Sequence, residues 1–329
     1  MLPILLLLQV TAPPELTNFL QYSIGFDAQQ MAAVERGEAV VKVLETRDRR
    51  DVALFGIITT AVGRDQYVRA LRDFPTSLRT PNRTQLGIFS NPAKEADVAA
   101  VTINARDVAE MKSCKPGDCV VKLPATDMRR IHDEMNWSAS PSDLQAQLNA
   151  YARRRLVEYV TDYRRRGDSA MAIYDDRGNM NMRASEAFAA QFAESPYIYQ
   201  TVPSLQSYFT GYPHGALPPG AVEVLFWSED VMPRLRPILS VTHLVVFTPP
   251  ELPGMTLAAS KQIYANHYFE AAVDLTAVVD RNPGSYLVVL RRFRFDNLPG
   301  GILNIRGRAI GALRDQLTLD LRRQQTTGQ

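Results

Sequence analysis

Cys114 and Cys119 enclose Lys115-Pro116-Gly117-Asp118 and are the only cysteines in the chain. Three chemistries use such a pair. A structural zinc site needs about four Cys or His ligands, often as two close pairs. No second cysteine pair exists, and His132, His214, His243 and His267 stand at no ligand spacing from one another, so no metal is expected. A thioredoxin-type redox centre sets two residues between its cysteines at the start of a helix. Here four intervene, and the segment runs on into the strand-like Val120-Val121-Lys122-Leu123. The third chemistry is a staple. Pro-Gly suits a type II turn, with glycine where φ is positive, and that turn brings its flanks within reach of a disulfide. The bond is expected in an oxidising compartment; in a reducing one the pair remains two thiols without a special role.

Catalytic arrangements are scarce. The sequence contains no G-x-S-x-G elbow, Walker loop, G-x-G-x-x-G or H-E-x-x-H. Asp175-Asp176-Arg177-Gly178-Asn179 has arginine and glycine at its third and fourth positions, which makes it a turn and not a calcium loop. Ser260 and Lys261 are adjacent in a strand-like run, so their side chains point to opposite faces and cannot act as a dyad. No cofactor is implied. Lys plus Arg number 37 against 35 Asp plus Glu, and the arginine runs at 153–155 and 164–166 lie among acids and tyrosines. Nucleic acid is not an expected partner, because its binding needs a basic excess on one face.

The cations that stand out lie in apolar alternations of the last third. One row reads Leu239, Val241, His243, Val245, Phe247, and a second runs from Ala259 through Lys261, Ile263, Ala265, His267 and Phe269 to Leu275. A third reads Leu287, Val289, Arg291, Phe293, Phe295. On one inward face, His243, Lys261, His267 and Arg291 would need a compensating anion, since an unpaired buried cation costs several kcal/mol. A ligand carboxylate or phosphate is one candidate; edge exposure, or pairing with Asp274 or Glu270, is the other. The expected ligand-binding set is His243, Lys261, His267, Arg291, Phe293 and Tyr264, with an apolar tail along Val289, Phe293, Ile305 and Leu313. A β-bulge would shift the facing of a row and undo part of this set.

Elements that would hold these residues are legible from periodicity. Ala28–Arg36 reads as a helix closed by Gly37, and Glu38–Leu44 and Val52–Ala61 as strands before a helix at Arg64–Leu71. Ser140-Pro141-Ser142-Asp143 is a helix start, and apolar residues recur from Leu144 to Tyr163 before three arginines and Gly167. Ala184–Glu194 and Ser204–Tyr208 read as further helices. Ile238–Phe247, Thr256–Val279 and Tyr286–Phe295 read as strands, and a helix after Gly301 carries Ile302, Ile305, Ala309, Leu313, Leu317 and Leu321 on one stripe. At the other end, the apolar run Leu2–Leu8 followed by Val10-Thr11-Ala12 reads as a secretory signal, too short to span a bilayer. That places the protein in the periplasm or outside a bacterial cell, and in the cytoplasm if the run is not a signal.

Consecutive antiparallel strands closed by an amphipathic helix resemble the START-like (helix-grip, SRPBCC-type) superfamily. The likeness rests on Val52–Leu71 and Ile238–Leu321. CKPGDCVVKL and ASKQIYANHYF are also similar to stretches of a group of bacterial proteins with no assigned activity. The resemblance implies an α+β fold, an antiparallel sheet curled around a long C-terminal helix, with the middle third as a helical insertion. Its divisions would be 1–12 signal peptide, 13–124 N-terminal part of the α+β domain, 125–220 helical insertion, and 221–329 C-terminal strands and helix. It further implies binding or transfer of an apolar, acidic small molecule in a cavity between sheet and C-terminal helix, with transient membrane contact. The alternative is a hydrolase or cyclase that uses a histidine and a tyrosine of the same cavity.

Overall fold

The computed structural model describes residues 12–178, 181–232, 235–296 and 305–327. The leader read at the N-terminus therefore lies outside the described residues, Ala12 excepted, as do Asn179, Ile302 and the Ile305 side chain. The fold is α+β, built on an eight-stranded antiparallel sheet. In chain order the strands are β1 (Val40–Leu44), β2 (Asp51–Thr60), β3 (Arg83–Ile88), β4 (Ile173–Tyr174), β5 (Met182–Arg183), β6 (Val222–Asp230), β7 (Ile238–Phe247), β8 (Met255–Ala265), β9 (Phe269–Asp280) and β10 (Ser285–Phe295). The large sheet runs β1-β2-β10-β9-β8-β7-β6-β3, and β4 pairs with β5 alone.

Both faces of this sheet are covered. On one, Val245, Phe247, Leu257, Leu275 and Leu290 pack against helices at the N-terminus and at Ala184–Ala193, Pro196–Thr201 and Pro203–Gly211. On the other, Leu54, Leu287, Val289 and Phe295 pack against Leu317 and Leu321 of the helix Ile305–Thr327 and against Tyr67 of Arg64–Arg72. Strand β10 has a nearly continuous run of buried residues because neither face meets water.

The longest helix of the middle third starts where its cap chemistry predicts. Ser140 Oγ accepts from the Asp143 backbone N–H, Pro141 opens Pro141–Arg166, and Gly167 follows with φ +57°. With the helices Ala105–Met111 and Ala125–Glu134 it closes a core of its own around Val108, Met111, Ile131, Leu148 and Tyr151.

Two features depart from the sequence reading. The run Thr256–Val279 is not one strand: it folds back at 266–268, where Tyr268 takes φ +60°, and becomes the hairpin β8–β9. Within β8 a bulge at Ile263 separates the pairs Thr242↔Gln262 and Val241↔Tyr264. One extra residue reverses the facing of everything beyond it. Ala259 therefore packs in the core under the helices and Ala265 in the core under Ile305–Thr327.

The cysteines are bonded. Cys114–Cys119 has its Cα atoms 4.4 Å apart, and Gly117 has φ +84°, as the type II reading requires. The loop docks on the segment before β5: Gly117 N–H donates to Asp175 O at 2.6 Å and Cys119 N–H to Asp176 O at 2.9 Å.

Candidate functional site

Register places three basic residues in one row across the helical face of the sheet. His243 pairs with Lys261, Lys261 with Val273, and Val273 with Arg292. Strand neighbours in register share a face, so the third member is Arg292 and not the expected Arg291. Arg291 pairs with Asp274 and lies on the opposite face, where it donates to Asp274 at 2.8 Å and to Asp320 of the C-terminal helix at 3.0 Å. Burial weakens the hold of its guanidinium on the proton, but Asp274 and Asp320 more than offset this and raise its pKa overall.

Each member of the row has protein partners, although Arg292 Nε is buried without one among the described residues. Lys261 is fully buried and its ammonium pairs with Asp168, which the turn after Gly167 carries beneath the sheet. The ammonium also lies 3.9 Å from the centre of the Phe188 ring, and burial lowers its pKa against the pull of Asp168. Arg292 donates to Ser195 Oγ at 2.7 Å, to the Glu194 carboxylate at 3.1 Å and to Tyr197 Oη at 3.3 Å. His243 sits among four aromatic rings, the nearest being Tyr212 at 4.5 Å. Its Nδ1 lies 3.0 Å from Tyr163 Oη and its Nε2 2.9 Å from Tyr208 Oη. Tyr208 Oη donates to the Glu223 carboxylate, which leaves the Tyr208 oxygen to accept from Nε2–H and makes Nδ1 the acceptor from Tyr163. Burial lowers the His243 pKa and raises those of Tyr163 and Tyr208 well above the phenol range. Tyr212, half-buried, is pushed up to about 12 by its partial burial.

The other expected members stand apart. His267 bridges Val120 O at 3.1 Å and the Asp107 carboxylate at 2.9 Å, tying the disulfide loop to the helix Ala105–Met111. Phe293 packs on Phe269 with ring centres 5.6 Å apart, on the face of the C-terminal helix. Tyr264, turned by the bulge, donates to Lys122 O at 3.2 Å and lines a cavity of about 540 Å³ beneath Pro141–Arg166. Ion pairs cross that cavity wall, Arg155 reaching Asp127 at 2.8 Å.

A second cavity, of about 370 Å³, lies on the helical face beside the basic row. Its floor is the sheet: Leu257, Leu275, Ala277, Val288, Leu290 and Phe55, in adjacent register rows. Leu275 and Leu290 are each two residues along their strands from Val273 and Arg292, so the row begins about 7 Å from the floor. Leu16 and Phe19 of the N-terminal helical segment and Ile198 and Val202 form the opposite wall. Polar side chains enter at Glu15, Tyr197, Thr201, Glu251 and Asp280. Its volume and apolar walls are those of a small-molecule site.

The sequence reading missed this cavity and the residues Tyr163, Asp168, Tyr208, Glu223 and Arg292. Arg292 was within reach: Arg291-Arg292 occupies both phases of β10, and only the pairing with β9 says which arginine joins Lys261. The tyrosines and acids come from distant helices and turns and leave no local signal. Among the described residues no group of three or more His, Cys, Asp or Glu side chains could hold a metal. No helix of the described residues is long and apolar enough to cross a membrane. The chain matches no model of a known protein family and none of the curated proteins.

Proposed function

We propose that the protein binds, and hands on, an apolar small molecule held in the 370 Å³ cavity against the helical face of the sheet. The observation that carries this reading is the cavity itself, floored by six apolar side chains of four strands and walled by Leu16, Phe19, Ile198 and Val202. Exclusion of water from such walls drives binding at about 25 cal/mol per Å² of apolar area. The hydrolase or cyclase alternative would need a histidine at the wall, and the residues lining this cavity include none.

A START-like plan, in which the sheet curls around the last helix, remains part of the proposal. Its support is the run of antiparallel strands β7 to β10 followed by Ile305–Thr327, with Leu317 and Leu321 seated on the sheet. On that plan the helices between 125 and 220 are an insertion, and the cavity described lies on the face away from the last helix. An extracytoplasmic location is proposed on the Cys114–Cys119 bond.

Ala277 lies in the cavity floor, so Ala277→Trp would fill it. The variant should keep its circular dichroism and lose at least about tenfold in affinity for the neutral fluorophore N-phenyl-1-naphthylamine. Organic extraction of native protein should release an apolar compound that the variant lacks. Undiminished fluorophore binding by a folded Ala277→Trp protein would defeat the reading.

A further inference from the structure

The sign of the cavity's charge narrows the ligand. The charged residues of its lining are Glu15, Glu251 and Asp280, and no lysine, arginine or histidine is among them. Asp280 is answered by Arg64 at 3.2 Å. Glu251 is not answered by a charge: its two oxygens accept from Ser204 N–H and Ser204 Oγ, both at 2.9 Å. Glu15, exposed in the first turn of Pro14–Asn18, forms no ion pair among the described residues. The rim thus carries two uncompensated negative charges beside an apolar interior. Arg292, in the register row next to the floor, has its terminal nitrogens engaged by Glu194, Ser195 and Tyr197.

From this we infer that the ligand is a cationic amphiphile, an apolar body bearing an ammonium head that sits between Glu15 and Glu251 at the rim. The inference rests on the cavity being the binding site. An acid of the same size would bring its carboxylate to a rim of like charge, where the described lining offers no basic side chain. An ammonium at the rim stays partly hydrated, so each carboxylate contributes a surface-type attraction of at most about 1 kcal/mol. Two of them discriminate amine from alcohol by about tenfold.

The test displaces bound N-phenyl-1-naphthylamine with dodecylamine, 1-dodecanol and dodecanoate, each below its micelle concentration, at neutral pH and low salt. The amine should compete at concentrations about tenfold below the alcohol, and the alcohol below the carboxylate; added salt should narrow both gaps. Glu15→Gln combined with Glu251→Gln should bring the ratio of amine to alcohol affinity close to unity. Glu15→Gln alone should reduce it about threefold, which keeps the test alive if the double variant fails to fold. Dodecanoate binding as tightly as the amine, or an unchanged ratio in the variants, would overturn the inference while leaving the cavity reading intact. Failure of the fluorophore to bind the wild-type protein would remove both.

Discussion

His243 is the residue at which mild acid should act. Its imidazole is buried without access to water, and burial outweighs the nearby Glu223 carboxylate, so its pKa lies below 6.5. The unfolded chain takes up a proton near pH 6.5 that the folded chain refuses. Below that pH the unfolded state therefore holds more protons, and stability falls as pH drops toward the folded pKa, by up to about 1.4 kcal/mol per unit. Above pH 6.5 the contribution is complete. Asp51 and Glu270, whose carboxyls burial raises, act with the opposite sign, so the informative quantity is a difference between proteins. His243→Gln should be less stable than wild type in urea at neutral pH, because Tyr163 and Tyr208 lose part of their bonding. That gap should close as the pH is lowered, and a constant gap would show that the imidazole is not held neutral.

At the scale of elements, what the sequence made legible depended on how many faces of a strand meet a distinct environment. The row Leu239 to Phe247 keeps a single phase, but it packs under the N-terminal and middle-third helices and not against the C-terminal helix, where the resemblance places it. In β8 the same alternation holds as far as Lys261 and fails beyond the bulge at Ile263, which no residue type announces. In β10 burial on both sides removes the phase altogether, and the alternation points to Arg291 where the pairing sets Arg292 beside the row of Lys261. The Ser140 cap and the Pro116-Gly117 turn were readable because local hydrogen bonding decides them. Strands β3 and β6 were not, since their apolar runs are short and β3 finds its partner β6 far along the chain.

Two further element-scale outcomes are specific. In β3, a Cβ at Gly87 would meet the Trp227 indole nitrogen and the Asp97 carbonyl oxygen at 2.6 Å or less. That indole N–H donates to Asp97 O at 2.8 Å, so Gly87→Ala should displace a fully buried tryptophan and cost about 2–3 kcal/mol in urea unfolding. A change within about 0.5 kcal/mol would mean that β3 shifts outward without penalty. The Cys114–Cys119 bond closes a small loop, so Cys114→Ser should cost about 2 kcal/mol and leave the protein folded. Thiol titration of denatured native protein should find no free thiol, and two would contradict the pairing.

For the molecule as a whole, covering the sheet on both faces separates binding from support. The face packed by Leu317 and Leu321 contributes none of the residues that line the 370 Å³ cavity. Leu321→Ala opens a void in a fully buried site and should destabilise the protein by about 2–4 kcal/mol. The cavity lies on the far side of the sheet, so the affinity of the folded variant for N-phenyl-1-naphthylamine should change less than about twofold. A ligand that binds only the folded chain adds about 2.7 kcal/mol at a hundred times its dissociation constant. For a chain of 329 residues that is a rise in melting temperature of about 4 °C. Stripping native protein with organic solvent and refolding it should therefore lower the melting temperature, and adding the extract back should restore it. The same increment should appear in Leu321→Ala and be lost in Ala277→Trp. If the ligand's stabilisation instead disappeared with Leu321, the binding site would lie against the C-terminal helix and not on the helical face.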